Sequence, residues 1–214
     1  MKTNYEVVAF DLYGTLLAIE KLLDALVPVL GPQAETLLPK WRKAQIDRTW
    51  ELNRRGEYEP FGQVTAVALA QVAPKLSPAT IERACKAWLT VPAHPDAVSA
   101  VARLRASGVR CAVLSNGTAP MIRSALDAAG LTIDEVRSVD EVRVYKPDPR
   151  VYALLDTMAP RERTLFVSSN GWDVDGCKRT GRTVAYVDRG GSAPSERPDL
   201  RVTSLIDLVP LVTT

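Results

Sequence analysis

Histidine is nearly absent, with His94 the single one in 214 residues. A Ser-His-Asp or Cys-His hydrolase would have to draw its base from that residue. It stands between two prolines in VPAHPD, where a turn or linker and a solvated side chain are expected. Acid–base work therefore falls to carboxylates. Cysteine is scarce as well. Cys85, Cys111 and Cys177 are odd in number, far apart and without a C-x-x-C pair, which argues against a disulfide framework and a thiolate zinc site. No apolar run is long enough to span a bilayer, and MKTNYEVVAFD enters a strand-like run at once instead of the apolar stretch of a signal peptide. A soluble, cytoplasmic protein with reduced thiols is expected. Charge of one sign is missing too. The net charge is +2 and the basic residues are scattered, which excludes nucleic acid as the main partner but leaves room for a small anion held by one or two placed cations.

What is present is a chain long enough for one or two domains with a sizeable core. Short β-rich runs recur: YEVVAF (5–10), VRCAVLSN (109–116), TLFVSSN (164–170) and TVAYVD (183–188). Amphipathic stretches lie between them, such as 96–108, stopped by Gly108, and 119–130, stopped by Gly130. RVTSLIDLVPLV (201–212) adds a last short strand and helix. This alternation predicts an α/β fold: a doubly wound, Rossmann-like parallel sheet with helices on both faces. Residues 19–91 differ, reading as consecutive helices without a strand, with Leu37, Trp41, Ala44 and Arg48 at helical spacing. They predict a helical cap inserted into a core made of 1–18 and 92–214. A cap placed after the first strand covers that strand's carboxyl end, where open α/β sheets bind ligands.

The first strand ends in FDLYGTL (10–16). Asp11 there is either a nucleophile, able to split a displacement into two steps through an ester, or a helix N-cap or Asx turn. Three further polar segments follow predicted strands or open helices: LSNG (114–117), VYKPDPRVY (144–152) and FVSSNGWD (166–173). All four converge on one edge of the sheet.

Together these segments resemble the haloacid dehalogenase superfamily, and over nearly the whole length the chain is similar to its L-2-haloacid dehalogenases. The likeness extends to the cap sequence WRKAQIDRTW (41–50), which carries Arg42 where that family has a cap arginine. The superfamily also contains magnesium-dependent phosphatases, whose first motif resembles D-x-D and whose fourth supplies a further metal-binding Asp. This chain has Tyr13 at the second Asp of the first motif and Ser169 at the metal-binding Asp of the fourth. Magnesium favours carboxylate oxygens, so the phosphatase alternative loses its ligands. A non-catalytic protein that merely keeps the fold would have no need for Asp11, Arg42, Lys146 and Asp173 together.

The resemblance implies hydrolysis of small (S)-2-haloalkanoic acids to (R)-2-hydroxy acids, with neither metal nor cofactor, in a homodimer. It implies that Asp11 attacks the halogen-bearing carbon while Arg42 and Asn116 receive the halide. Ser115 and nearby amides would hold the substrate carboxylate. Lys146 would balance the charge of Asp11, an interaction worth ~4 kcal/mol at ~4 Å and an effective dielectric near 20. Asp173 would activate water, with Ser168 and Asn170 positioning it, and Thr15 and Tyr152 match further polar positions. Tyr13, Ile46, Phe61 and Trp172 match the apolar wall. Two departures stand out: Lys43 replaces a common Gln and is expected to add a cation at the mouth if it turns inward, and Gly171 replaces a usual Ala and is expected to loosen the wall.

Overall fold

The computed structural model describes residues 5–213, so residues 1–4 and 214 of the expected core lie outside the described residues. The chain builds a parallel sheet from β1 (Val7–Phe10), β2 (Arg110–Ser115), β3 (Glu135–Ser138), β4 (Thr164–Ser168), β5 (Thr183–Val187) and β6 (Leu200–Val202), in the order β3-β2-β1-β4-β5-β6. The helices around it are α5 (Ala97–Ala106), α6 (Ala119–Ala128), α7 (Pro149–Ala153), α8 (Gly171–Lys178) and α9 (Leu205–Thr213).

Both faces of the sheet are covered, and the two-residue period of the strands divides the core accordingly. Val8, Phe10, Cys111, Val113, Leu165 and Val167 pack with Leu104 of α5, Ile122 of α6 and Leu208 of α9. Val7, Ala9, Ala112, Leu114 and Phe166 pack with Tyr152 of α7 and Val174 of α8. Central strands wetted on neither side need the continuous apolar runs seen in the sequence. The β3 strand was not foreseen, because it sits at the sheet edge, pairs only with β2 and reads EVRS, with Glu135 and Arg137 joined in an ion pair.

Between β1 and α5 lie α1 (Leu22–Leu30), α2 (Ala34–Arg55), α3 (Phe61–Val72) and α4 (Pro78–Lys86), with no strand among them. Gly56, in the left-handed conformation, ends α2 (φ 67°), and the Ser77 hydroxyl caps α4 by accepting from the Thr80 amide. Trp41 and Trp88 meet edge to face at 5.5 Å in the middle of this block. The chain enters and leaves the block side by side: the Ala18 amide donates to Pro92 O at 2.8 Å, and the His94 amide to Leu16 O at 2.8 Å. Strand order reverses at β1, so the crevice at the carboxyl ends of β1, β2 and β4 is the ligand position expected of such a sheet.

Candidate active site

Asp11 follows β1 directly, and its amide still donates to Val167 O at 2.8 Å. Gly14 takes a φ of 92°, which a residue with a Cβ rarely adopts, and that turn brings Thr15 back over the strand end. Thr15 Oγ1 and Asn170 Nδ2 then donate to Asp11 Oδ2 at 3.0 and 2.9 Å, while Lys146 Nζ donates to Oδ1 at 3.0 Å. Three donors from three loops therefore hold one nearly buried carboxylate in place.

Lys146 is itself fully buried, with its ammonium 4.9 Å from the centre of the Phe166 ring. It also donates to Asp173 Oδ2 at 2.9 Å. Burial acts against its charge, but the two carboxylates outweigh that and hold the lysine above its ordinary value. Asp173, in the first turn of α8, is fully buried and accepts from the Tyr152 hydroxyl at 2.6 Å. Its burial raises the carboxyl above the usual range against the pull of Lys146. Tyr152 is thus turned inward, and its hydroxyl is pushed well above its ordinary value by burial and by the neighbouring Asp173.

The cap supplies the opposing charge. Arg42 on α2 lies with its guanidinium 5.9 Å from the centre of the Trp88 ring and makes no hydrogen bond or ion pair with the described residues. Burial pulls it below its ordinary value, opposed by Asp11, Tyr13 and Asp173. A guanidinium remains charged under such conditions, so Arg42 brings a cation without a direct hydrogen-bond partner to the Asp11 crevice, suited to an anion. Asn116 Oδ1 accepts from the Lys146 amide at 3.1 Å, which leaves its Nδ2 as a donor for a ligand. The hydroxyls of Ser115 and Ser168 shape their own loops, accepting from the amides of Gly117 and Asn170 at 3.1 Å each.

The Tyr13 hydroxyl donates to Trp88 O at 3.1 Å, and its ring meets Trp88 edge-on. Ser169 Oγ donates to Gly14 O at 2.7 Å, and the Ser169 amide donates to Thr15 Oγ1 at 2.8 Å. The two positions that carry carboxylates in the phosphatases are therefore tied into the backbone. Among the described residues no cluster of His, Cys, Asp or Glu is arranged to hold a metal ion. The donor set does not fit magnesium: with Tyr13 and Ser169 at those positions, Asp11 and Asp173 are the carboxylates left in the crevice, and both are engaged by Lys146.

Ile46, one turn beyond Arg42, is half-buried, and Trp172 meets Trp50 of α2 edge to face at 6.0 Å. Phe61 is buried against the Tyr145 ring, with centroids 6.1 Å apart, at the seam between cap and core. Three expectations are corrected. His94 is not solvated: it is buried, its Nε2 lies 3.2 Å from Gly14 O, and burial and Arg189 lower its basicity. Lys43 does not turn inward but pairs with Asp47 at 2.6 Å on the exposed side of α2, as the spacing of four along a helix allows. Gly171 does not open the wall, since a Cβ there would meet Ser192 O at 2.5 Å and Ala193 O at 2.6 Å. The backbone of the following loop fills the space of the missing methyl group.

No cysteine is a nucleophile candidate. All three are free, and burial pushes Cys85 up to about 11, Cys111 up to about 12 and Cys177 further still, so none is a thiolate at neutral pH. Trp88, the platform under Arg42, escaped the sequence because it follows α4 and carries no local signal. Asn53 escaped too, although it lies eleven residues after Arg42, three turns on and on the same face of α2. Its amide bonds both backbone groups of Tyr145.

Comparison with known proteins agrees with this geometry. Residues 5–181 match the family model of haloacid dehalogenase-like hydrolases. The chain is 39% identical over 199 residues to (S)-2-haloacid dehalogenase H-109 of Pseudomonas putida, covering 89% of each chain. It is 37% identical over 190 residues to (S)-2-haloacid dehalogenase 1 of Pseudomonas sp. strain CBS-3, covering 84% of this chain and 83% of the other. Its fold superposes with a TM-score of 0.92 and 31% identity on the L-2-haloacid dehalogenase of Xanthobacter autotrophicus with chloropropionic acid covalently bound, covering 97% and 98% of the two chains. A buried carboxylate under a capping arginine, in a chain matching these proteins almost from end to end, makes it a member of the haloacid dehalogenase-like hydrolases and, within them, of the (S)-2-haloacid dehalogenase family.

Proposed function

We propose that the protein hydrolyses small (S)-2-haloalkanoic acids to (R)-2-hydroxyalkanoic acids and halide, without metal, through an ester on Asp11. The observation that carries this reading is a nearly buried Asp11 held by Lys146, whose single ammonium also bonds Asp173, with the cap guanidinium of Arg42 placed beside the crevice. In the first step an Asp11 oxygen attacks C2 of the substrate, inverting it, and the carbon–halogen bond breaks with its electron pair on the halide. Arg42 and Asn116 Nδ2 receive that anion, a developing charge that fixed donors stabilise. The substrate carboxylate binds at Ser115 and neighbouring amides, against a wall of Tyr13, Ile46, Phe61 and Trp172.

In the second step Asp173, its basicity raised by burial, takes a proton from water as the water attacks the ester carbonyl. The ester breaks between the carbonyl carbon and the bridging oxygen, the alkoxide takes the proton from Asp173, and the new Asp11 carboxyl releases the second water proton to solvent, which restores both carboxylates. Thr15, Asn170, Ser168 and Tyr152 keep the two carboxylates in register. Residues 19–91 act as the cap and 1–18 with 92–214 as the catalytic core. The family likeness supports a homodimer, and the free cysteines suit the cytoplasm. Halide release from the two enantiomers of 2-chloropropionate, with excess chelator, tests the reading: turnover of the (S) form alone is expected. Chelator-sensitive turnover, or magnesium-dependent phosphatase activity in its place, overturns it.

A further inference from the structure

Two asparagines hold the consecutive amides that carry Lys146 into the site. Asn116 Oδ1, from the loop after β2, accepts from the Lys146 amide at 3.1 Å. One residue earlier, Asn53 Oδ1 accepts from the Tyr145 amide at 2.9 Å, and Asn53 Nδ2 donates to Tyr145 O at 2.7 Å. The first asparagine belongs to the core and the second to the cap helix that carries Arg42. Tyr145 O also accepts from the Asp148 amide of the core at 3.0 Å, but the Tyr145 amide is satisfied by Asn53, a residue that is present only when the cap is docked.

We propose that Asn53 is a positioning residue for the dehalogenation chemistry: its clasp on Tyr145 makes docking of the cap and placement of the Lys146 ammonium one event. Cap and core each own half of the site, Arg42 on one side and Asp11 with Lys146 on the other. The clasp lies three helical turns from Arg42 along the same rigid helix. A small displacement of the Tyr145–Lys146 peptide is transmitted to an ammonium held within 3.0 Å of Asp11 and 2.9 Å of Asp173. Loss of the clasp therefore acts on both chemical steps, and on turnover more than on substrate affinity. A bond that only glued the cap on would behave differently. Tyr58, whose hydroxyl bonds Asp140 across the same seam, supplies that comparison.

The inference rests on the dehalogenase reading, and the experiment separates the two. Halide release from (S)-2-chloropropionate and thermal midpoints are measured for the wild type, Asn53→Ala, Asn53→Ser and Tyr58→Phe, and crystal structures are determined for the Asn53 variants. Asn53→Ala is expected to lower kcat by about tenfold to a hundredfold, the effect of misplacing a catalytic group by about 1 Å, with KM little changed. Asn53→Ser, the smaller change, gives an intermediate loss and serves if the alanine variant fails to fold. Tyr58→Phe is expected to lower the thermal midpoint and leave kcat in place. In the Asn53 crystal structures Lys146 Nζ is expected beyond hydrogen-bond reach of Asp11, about 3.2 Å. Asn53 variants that lose stability as Tyr58→Phe does, while keeping kcat and an unmoved Lys146, overturn the proposal. A wild type that releases no chloride overturns the dehalogenase reading instead, and the position of Lys146 in the crystals still decides the clasp.

Discussion

Lys146 Nζ donates to Asp11 Oδ1 at 3.0 Å across 135 residues of sequence, and the same nitrogen reaches Asp173. With one ammonium between two buried carboxylates, the lysine cannot be replaced without leaving charge behind. Lys146→Met is expected to abolish measurable halide release and to destabilise the fold by ~3–5 kcal/mol, the cost of stripping one partner from a buried ion pair. Chemical denaturation alongside the halide assay checks both halves. A variant with wild-type stability would mean that Asp11 and Asp173 do not depend on the lysine for charge balance.

Arg42 makes no hydrogen bond or ion pair with the described residues and rests on the Trp88 ring. Arg42→Ala is expected to cost ~3 kcal/mol in the halide-release step, the loss typical of one transition-state donor. Arg42→Lys should recover little of it, because a point ammonium lacks the planar fork and its fit to the indole face. Single-turnover halide release measures the step directly, and near-normal rates in Arg42→Ala would remove the arginine from the chemistry.

The source of the product oxygen decides between attack by Asp11 and attack by water. In heavy-oxygen water with excess enzyme, one turnover is expected to label the Asp11 peptide and leave the product hydroxyl unlabelled. Asp173→Asn should slow ester hydrolysis more than halide release, so that a substrate-sized mass adduct accumulates on Asp11. A labelled product with an unlabelled peptide would reassign Asp11 as a general base.

His94 predicts a pH dependence of stability. Its folded-state value is held below the ordinary histidine value of 6.5, chiefly by burial. The unfolded chain therefore binds more protons in that window, and stability present above about pH 6.5 is lost as pH falls towards the folded value. His94→Asn should flatten the fall of the thermal midpoint below about pH 6.5, where the wild-type histidine begins to charge. An unchanged slope would show that burial beside Arg189 does not hold the ring neutral.

Much of this was legible in the order of residues. Strands β1, β2, β4 and β5 and helices α1 to α4 coincide with runs visible in the sequence, because a strand buried on both faces or a helix with one apolar side writes its own periodicity. Asp11 and Asp173 were nameable because one follows a strand end and the other opens a helix, while Lys146, between β3 and α7, and the roles of all three came from the family resemblance. What only the tertiary structure decided depends on contacts between segments that carry no common period. The edge strand β3 is charged and half wet, so its alternation is faint. His94 looks like a linker residue until the return of the chain beside Leu16 buries it. Lys43 could have faced either way until Asp47 took it, and the space beside Gly171 is filled by a loop some twenty residues on. Asn53 reads as one more polar residue on a long helix, and its role depends on a backbone 92 residues away that meets it only when cap and core are folded together.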